Sequence, residues 1–316
     1  MMNSTLVLWI RLGGFYDVAH LRSFYMFVVV VLYLLILFSN VLLICSVVLH
    51  RNLHEPMYVF LCSLFFNELY GSSFVVLFVL VQISGGSHVV SRSLCLLQIF
   101  HIYSYVSVEF TNLAVISYDR YVAICRPLRY GAHMSPGRVR VLLVLVWFPP
   151  ALAVGVTTLL TASLTLCGDV IDKVYCDNYS IIKLSCRDAA VNNWYELVAA
   201  SVTVFCPLAV VFYTYVRILR VCFCGSAHTR HKAVSTCAPH LASLLNFAFG
   251  VSFEVIQTRF DTTHLPRTFT AFQPLYLLMC QALFNPLMYG LNLQHARRAA
   301  KHLLLTAMTS TCCSPP

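Results

Sequence analysis

Long runs of apolar residues without a charged side chain constrain this chain more than any other feature. Residues 25–49 and 141–166 contain no Asp, Glu, Lys or Arg, and residues 57–82 contain only Glu68. An apolar run of about 18 residues or more is long enough to cross a bilayer as a helix. Charged residues make up 10% of the sequence, against about 25% in soluble domains. The sequence therefore predicts an all-α membrane protein.

Seven such segments are predicted, and together they form a seven-transmembrane helix bundle. The predicted spans are residues 25–49, 57–82, 93–117, 140–163, 195–221, 234–257 and 270–291. The bundle is expected to cover residues 25–292, between an extracellular N-terminus at 1–24 and a cytoplasmic tail at 293–316. Basic and apolar residues are mixed at helical spacing near the start of that tail, which predicts a short amphipathic eighth helix on the membrane surface.

The positions of the basic residues predict the orientation. With the N-terminus outside, 13 of the 21 Lys and Arg residues fall in cytoplasmic segments, beside only two acids, Glu55 and Asp119. Because cytoplasmic loops carry an excess of Lys and Arg, we expect a multi-pass plasma-membrane protein with its C-terminus in the cytoplasm. The basic residues lie in short loops, so the net charge of +9 indicates contact with the lipid bilayer and no nucleic-acid partner.

The strongest motif is Ile-Ser-Tyr-Asp-Arg-Tyr-Val-Ala-Ile-Cys at residues 116–125, where the third span leaves the membrane. An adjacent Asp119 carboxylate would hold the Arg120 guanidinium at rest, and its release would offer a bidentate donor to a partner. An arginine between Tyr118 and Tyr121 is equally typical of an interfacial anchor that reaches toward the headgroups. The residues alone leave both interpretations open.

Four motifs along the chain resemble those of olfactory receptors, a family of rhodopsin-like G-protein-coupled receptors. They are Asp-Arg-Tyr within the segment above, Leu-His-Glu-Pro-Met-Tyr-Val-Phe-Leu at 53–61, Lys-Ala-Val-Ser-Thr-Cys-Ala-Pro-His-Leu at 232–241, and Asn-Pro-Leu-Met-Tyr at 285–289. The resemblance covers residues from about 25 to about 300. It implies a receptor that binds a small organic odorant and activates a stimulatory heterotrimeric G protein, raising cyclic AMP. The coupling and switch residues that it implies are Asp119, Arg120, Tyr121, Asn285, Pro286 and Tyr289.

Three positions depart from the family pattern. Ser39-Asn40 replaces the usual Gly-Asn of the first helix, and Glu68 replaces the usual Asp of the second. In the sixth helix, an ungapped alignment puts Ala248 where an aromatic residue is usual, so the usual switch contact is not expected there. These variants resemble fish-type olfactory receptors.

Four cysteines, Cys95, Cys167, Cys176 and Cys186, lie on the predicted extracellular side, where disulfides form and persist. Four cysteines allow three pairings, and the sequence does not choose between them. The resemblance implies Cys95–Cys176 and Cys167–Cys186. Two glycosylation sequons also face this side. Asn3 is favoured over Asn178, which follows a cysteine of the implied framework by two residues.

Two acidic residues, Glu68 and Glu109, fall inside predicted spans, with Asn40 and Asn285 expected nearby. An ionised carboxylate at the bilayer centre costs at least about 2.5–3.5 kcal/mol, so the pair needs a cation or a proton. We favour a sodium site, as the resemblance implies, over a protonated hydrogen-bonded network; no other cofactor is expected. The alternative function is a cation channel or transporter that uses Glu68 and Glu109, although the sequence lacks the internal repeats common in transporters. No enzyme motif is present, so no catalytic residue is assigned.

The family architecture implies a ligand pocket between the third, fifth, sixth and seventh helices. An aromatic and apolar lining with a few hydroxyls suits a small organic ligand. The expected ligand-binding residues are Ile102, Tyr103, Val106, Ser107, Phe249, Ser252, Phe253 and Tyr276. Glu196, Glu254 and Arg259 lie near the predicted rim, and we expect them to be solvated surface charges rather than groups that steer a charged ligand.

Overall fold

The computed structural model describes residues 7–14, 22–86, 88–224, 227–259, 267–292 and 297–298. Nine α-helices are described in this part of the chain. They are α1 (Arg22–Leu49), α2 (Pro56–Gly85), α3 (Arg92–Cys125), α4 (Tyr130–His133), α5 (Pro136–Ala162), α6 (Asn178–Lys183), α7 (Ala190–Cys224), α8 (Ala227–Arg259) and α9 (Arg267–Asn292). Short 3-10 helices follow α1 and α3, at Arg51–Leu53 and Pro127–Arg129. Helices α4 and α6 are short, and the other seven form the bundle.

The seven long helices confirm the predicted transmembrane bundle. Within the residues that the structure describes, six of them contain a stretch long and apolar enough to cross a membrane. Helix α9 has 26 residues, or about 39 Å at 1.5 Å per residue, which exceeds the ~30 Å of a hydrocarbon core. The helices extend up to eight residues past the predicted spans, most of all in α3, which continues from residue 117 to Cys125. The predicted spans end too early because hydropathy locates only the apolar part of a helix.

Large apolar side chains cover the outside of the bundle. Phe27 in α1 is 67% exposed, Leu159 in α5 is 72% exposed and Phe212 in α7 is 74% exposed. A soluble protein rarely presents an apolar surface of this extent to water. Proline lies inside α5, α7 and α8, as transmembrane helices tolerate. These features are those of a multi-pass membrane protein.

Helix α3 occupies the centre of the bundle. It packs against α2, α5, α7 and α8, whereas α1 packs against α2 and α9. Helices α2 and α3 approach closely at Gly71, where an added Cβ would lie 2.3 Å from Cδ2 of the Tyr105 ring. Only a residue without a side chain fits this contact.

A small three-stranded sheet, which the sequence analysis did not anticipate, lies at one end of the bundle. Strand β1 (Trp9–Leu12) pairs antiparallel with β2 (Val89–Ser91) and parallel with β3 (Val170–Ile171). Ile10 and Leu12 are fully buried while Trp9 is 62% exposed, which is the alternation expected of a strand with one packed face. The sheet ties the N-terminal segment to the loops before α3 and α6.

Candidate functional site

Two disulfides mark the end of the bundle that carries the sheet, which we call the disulfide end. Cys95 near the start of α3 is bonded to Cys176, and Cys167 is bonded to Cys186. Both pairings implied by the family resemblance are therefore confirmed. The first anchors the loop between α5 and α7 to α3, and the second closes that loop on itself.

A cavity of about 460 Å³ opens near the disulfide end, between α3, α5, α7, α8 and α9. Its volume falls in the range of about 300–1,000 Å³ that is typical of small-molecule sites. Ile102, Tyr103, Val106 and Ser107 of α3 line it, as the sequence analysis expected. Residues of α5 and α7 that the sequence analysis missed complete much of the apolar wall; they include Val154, Leu197, Ala200 and Val204.

The residues of α8 and α9 that the sequence analysis expected to bind the ligand do not line this cavity. Phe249 is 65% exposed and Tyr276 is 40% exposed, and neither they nor Ser252 and Phe253 line the cavity. The cavity-facing residues of α8 are instead Val251, Glu254 and Val255, with Leu277 from α9. Positions 251, 254 and 255 share one face of a helix. Because apolar residues surround this part of α8, the sequence pattern does not reveal which face turns inward.

Two acidic residues expected at the surface line the cavity instead. Glu196 of α7 is 6% exposed, and its carboxylate accepts hydrogen bonds from Tyr103 Oη at 3.3 Å and Asn178 Nδ2 at 3.0 Å. The side chain of Glu254 is 16% exposed and forms a salt bridge of 3.2 Å with Lys173. The expectation of solvated surface charges is therefore wrong for both residues. The side chain of Arg259 lies outside the described residues.

The side chain of Asn178 is not compatible with the candidate glycosylation there. Asn178 is fully buried. Its Oδ1 accepts a hydrogen bond of 2.6 Å from Thr161, and its Nδ2 donates to Glu196. The nitrogen to which a glycan would be attached is therefore occupied and enclosed. Asn3 lies outside the described residues, so its glycosylation stays a prediction.

A buried polar cluster lies about midway along α3. Glu68, Glu109 and Asn285 are all fully buried. The amide of Asn285 donates to Glu68 Oε1 and, at 2.9 Å, to Glu109 Oε1. The structure thus brings together the two intramembrane acids and Asn285, as the sequence analysis expected.

Neutral side chains that the sequence analysis did not single out complete this cluster. Tyr105 Oη donates to Glu68 Oε2 at 2.9 Å, and Asn67 Nδ2 donates to Glu109 Oε2 at 2.9 Å. Ser243 donates to Asn285 Oδ1 at 2.5 Å, and Gln281 donates to the same atom at 3.2 Å. A single polar residue within an apolar span gives no indication in the sequence of which helix it faces.

Asn40, which the sequence analysis expected near the carboxylates, bonds through its amide nitrogen to the backbone. Its Nδ2 donates to the backbone oxygens of Ile36 and Ala282, each at 2.9 Å. Asn40 therefore joins α1 to α9 through the backbone. Ala282 lies three residues before Asn285 in the same helix, and among the described residues no donor is bonded to the buried Oδ1 of Asn40.

The carboxylate cluster fits a small cation. Among the described residues, no donor is bonded to Asn67 Oδ1, although that oxygen is buried and the Nδ2 of the same amide contacts Glu109. The partners of the two carboxylates named above are all neutral. Oxygen atoms are the ligands that hard cations prefer. The two carboxylates and Asn67 Oδ1 therefore offer oxygen ligands and a negative charge.

The Asp119–Arg120 pair lies at the opposite end of α3. Arg120 Nε donates to Asp119 Oδ2 at 3.0 Å, and a second guanidinium nitrogen forms a short contact with the same oxygen. Tyr130 Oη donates to Asp119 Oδ1 at 2.7 Å. Burial, followed by the negative charge of Asp119, raises the pKa of Tyr130, so its hydroxyl keeps the proton that it donates. Asp119 therefore holds Arg120, as expected if the arginine is restrained at rest and released to a partner.

Other members of the predicted switch set are buried around this end. Tyr121 is 4% exposed and its ring lies 5.7 Å from the Arg126 guanidinium carbon. Tyr289 is 5% exposed, and its ring contacts Phe65 edge-on at 6.4 Å. Pro286 is buried next to Asn285 in α9. The region of the predicted eighth helix is described only at residues 297–298, which are helical.

A histidine that the sequence analysis did not single out connects three helices near the same end. His240 of α8 is 1% exposed. Its Nε2 lies 2.8 Å from the backbone oxygen of Leu113 in α3, and its Nδ1 lies 2.7 Å from Tyr215 Oη in α7. Because a carbonyl oxygen only accepts, Nε2 must carry a proton, and in the neutral ring Nδ1 accepts from Tyr215. The one feature of the sequence that could have singled out His240 is its position within the family motif at 232–241.

Comparison with known proteins decides the family. The sequence model described as "Olfactory receptor" matches residues 29–307. Olfactory receptor 11A1 of Homo sapiens is 32% identical over 311 residues, which cover 98% of this chain and 97% of that protein. Olfactory receptor 287 of Rattus norvegicus is 33% identical over 275 residues, covering 86% and 87%. Olfactory receptor 14J1 of Homo sapiens is 32% identical over 307 residues, covering 96% and 94%.

The chain belongs to the olfactory receptor family. It is accordingly a G-protein-coupled receptor of the odorant receptor class and not an enzyme. The fold, the two disulfides and the position of the Asp119–Arg120 pair agree with the resemblance that the four motifs carried.

One departure of this olfactory receptor from the family pattern lies next to a buried aromatic residue. Ala248 stands at the position where an aromatic residue is usual, but Phe247 is fully buried. Its ring contacts Phe110 at 4.9 Å and Tyr105 at 6.0 Å, both edge-on. An aromatic contact between α8 and α3 therefore exists, displaced by one residue along α8.

Proposed function

We propose that this olfactory receptor binds a small organic odorant in the cavity near the disulfide end and activates a stimulatory heterotrimeric G protein at the Asp119–Arg120 end, raising cyclic AMP. The observation that carries the proposal is the layout of α3. This one helix contains a cavity wall at Ile102 and Tyr103, the carboxylate cluster at Glu109 and the restrained Arg120.

The proposed orientation places the disulfide end and the N-terminus outside the cell. Disulfides persist in oxidising surroundings, and both disulfides lie at this end. The opposite end carries Arg120, Arg126 and Arg129, in accordance with the excess of basic residues in cytoplasmic loops. The cavity would then open toward the odorant and Arg120 toward the G protein.

In the proposed mechanism, an odorant shifts the receptor toward an active arrangement because it binds that arrangement more tightly. The cavity is shared by α3, α7 and α8, so ligand contacts bear directly on how these helices pack. His240 joins the same three helices near the other end. A change in their packing would release Arg120 from Asp119 and offer its guanidinium to a carbonyl or carboxylate of the G protein.

We also propose that Na⁺ binds at the carboxylate cluster in the resting receptor. Glu68 and Glu109 supply charge, and Asn67 Oδ1 is a buried oxygen to which no donor among the described residues is bonded. A bound Na⁺ compensates one of the two carboxylate charges, so at most one of the two acids then needs a proton. Family membership favours this role over the cation channel or transporter that the same two acids had suggested.

The function is tested by measuring cyclic AMP in cells that express the chain, challenged with a broad panel of small organic compounds. We expect a ligand-dependent rise that Arg120→Ala abolishes while surface expression is retained. Arg129→Ala is the matched control, because Arg129 is an exposed arginine nine residues further along the chain. Ligand-dependent ion flux that Glu68→Gln abolishes, without a cyclic AMP response, would contradict the proposal and favour the transporter.

A further inference from the structure

The wall of the cavity includes apolar side chains that are also exposed on the outside of the bundle. Leu197 of α7 and Val255 of α8 both line the cavity, yet Leu197 is 47% exposed and Val255 is 53% exposed. Val154 of α5, by contrast, lines the cavity and is buried. Leu197 and Val255 therefore mark the side on which the cavity meets the surroundings of the bundle.

Leu197 lies at the border between the cavity face and the outer face of α7. Its neighbours in sequence are Glu196, which is buried, and Val198, which is 57% exposed. Leu197 lies about five helical turns before Tyr215 at 3.6 residues per turn, so both side chains leave α7 on the same side. The hydroxyl of Tyr215 is bonded to His240 of α8. Leu197 therefore lies on the edge of α7 that faces α8.

Val255 occupies the corresponding border of α8. The next residue, Ile256, is equally exposed at 53% but does not line the cavity. Gly250 faces α9, since an added Cβ there would lie 2.8 Å from Leu277 Cδ1. The five residues from Gly250 to Val255 turn the helix by about 140°, so Val255 points away from α9. Because α8 packs against α3, α7 and α9, this edge of α8 faces α7.

The border that these residues form lies in the apolar part of the bundle. Leu197 belongs to the candidate membrane span Ala190–Cys224 and Val255 to the candidate span Cys237–Gln257. Ala200, about one turn further along α7, is small and exposed and also lines the cavity. The surface at this level is therefore in contact with lipid, and the side chains between lipid and cavity are apolar.

We propose that the cavity has a side opening between α7 and α8, bordered by Leu197, Ala200 and Val255, through which an odorant dissolved in the membrane enters from the leaflet next to the disulfide end. The inference rests on the proposed function, in which this cavity is the odorant site. Lipophilic compounds concentrate in the bilayer because transfer of apolar surface out of water is favourable. The apolar border admits such compounds and excludes ions, whose transfer into apolar surroundings is costly.

The test measures how fast a cysteine on the far wall of the cavity is modified. Val106 of α3 lines the cavity, and Val106→Cys is introduced into the full chain, which is purified into lipid nanodiscs. Two methanethiosulfonates are compared, the lipophilic hexyl reagent and the permanently charged trimethylammonioethyl reagent. Each forms a mixed disulfide with the cysteine and releases methanesulfinate. Peptide mass spectrometry separates the adduct at position 106 from adducts at the native cysteines.

A bulky side chain at the opening is expected to slow the lipophilic reagent alone. Leu197→Trp and Val255→Trp should each lower the rate at which the hexyl reagent modifies Val106→Cys by about tenfold or more. Val198→Trp and Ile256→Trp are the matched controls, because these adjacent residues are similarly exposed but do not line the cavity. The charged reagent arrives from water, so its rate should be unchanged in all four variants. Since the opening is closed from either helix, the test stands if one variant fails to fold.

The outcomes separate this inference from the proposed function. Unaltered hexyl rates in both Leu197→Trp and Val255→Trp would overturn the side opening. Equal slowing of both reagents would also overturn it, because the tryptophan would then fill the cavity rather than close a path from lipid. Either result leaves the odorant receptor function standing if a compound still raises cyclic AMP. The expected rates without a cyclic AMP response to any compound would contradict the G-protein proposal alone.

Discussion

The hydroxyl of Tyr130 donates a hydrogen bond of 2.7 Å to Asp119, the carboxylate that holds Arg120. Asp119 is fully buried, and the side chain of Arg120 is 14% exposed. The carboxylate is thus fixed from two directions, by a neutral donor on α4 and by the guanidinium beside it. Fixing Asp119 in this way keeps Arg120 folded back on its own helix.

Neutralising Asp119 is therefore expected to raise signalling in the absence of ligand. Asp119→Asn keeps the shape of the side chain but removes the charge that holds Arg120, so basal cyclic AMP should rise several-fold. Tyr130→Phe removes only one donor and should raise it less. Basal cyclic AMP is compared at equal surface expression. Basal signalling at or below the level of the unmodified receptor in Asp119→Asn would show that the pair is an interfacial anchor.

Gly71 is expected to tolerate no side chain. In Gly71→Ala the new Cβ would lie 2.3 Å from the Tyr105 ring, whose hydroxyl is bonded to Glu68. Overpacking of this kind costs roughly 1–3 kcal/mol, and displacement of Tyr105 would disturb the carboxylate cluster as well. The measurement is the unfolding temperature of the purified protein.

Gly131→Ala is the matched control, because an added Cβ at Gly131 meets no atom within 4 Å. It lies in the short helix α4, where alanine is the better helix former. Its unfolding temperature should stay close to that of the unmodified receptor. An equally small change in Gly71→Ala would mean that α2 and α3 separate easily at this point.

The sequence predicted the bundle well because every helix that crosses a membrane needs an apolar run of about 18 residues or more. The apolar runs gave all seven long helices, and the family resemblance gave both disulfide pairings. The sheet built on Ile10 and Leu12 was missed, since four residues are too few to show a strand pattern. The inward face of α8 was also missed, because apolar residues occur on more than one face of that helix. Phe249 is exposed, for example, whereas Val251 lines the cavity.

Buried polar contacts were only partly predictable for a related reason. Glu68 and Glu109 stand out as acids within apolar spans, but Asn67, Gln281 and Ser243 are ordinary residues until packing brings them together. Glu196 was noticed in the sequence but was assigned to the solvated rim, whereas the structure buries it at the cavity. It lies seven residues into α7, where a rim position and a cavity position look alike in sequence.

The two disulfides are expected to contribute unequally to stability. The first spans 81 residues and the second 19. Loop-closure entropy then gives about 4.5 kcal/mol for the first and about 3.2 kcal/mol for the second. The double variant Cys95→Ala/Cys176→Ala should lower the unfolding temperature more than Cys167→Ala/Cys186→Ala does. Equal or reversed effects would show that loop length does not control the contribution.

Sodium ions are expected to stabilise the resting receptor through the carboxylate cluster. Replacing NaCl by an equal concentration of N-methylglucamine chloride should lower the unfolding temperature, and Glu109→Gln should remove most of that difference. Glu55→Gln serves as a control for general loss of an acid. An unfolding temperature that does not depend on sodium in the unmodified receptor would favour a protonated, hydrogen-bonded cluster instead.

The most direct test of the account is whether a ligand acts from within the cavity. Val204 lines the cavity, whereas Val202, two residues away on α7, is 54% exposed on the outer face. For any compound that raises cyclic AMP, concentration–response curves are recorded for Val204→Trp and Val202→Trp at matched surface expression. We predict that Val204→Trp, by filling the cavity, raises the half-maximal concentration by about tenfold or more and that Val202→Trp leaves it unchanged. Unaltered curves for Val204→Trp would contradict the assignment of the odorant site.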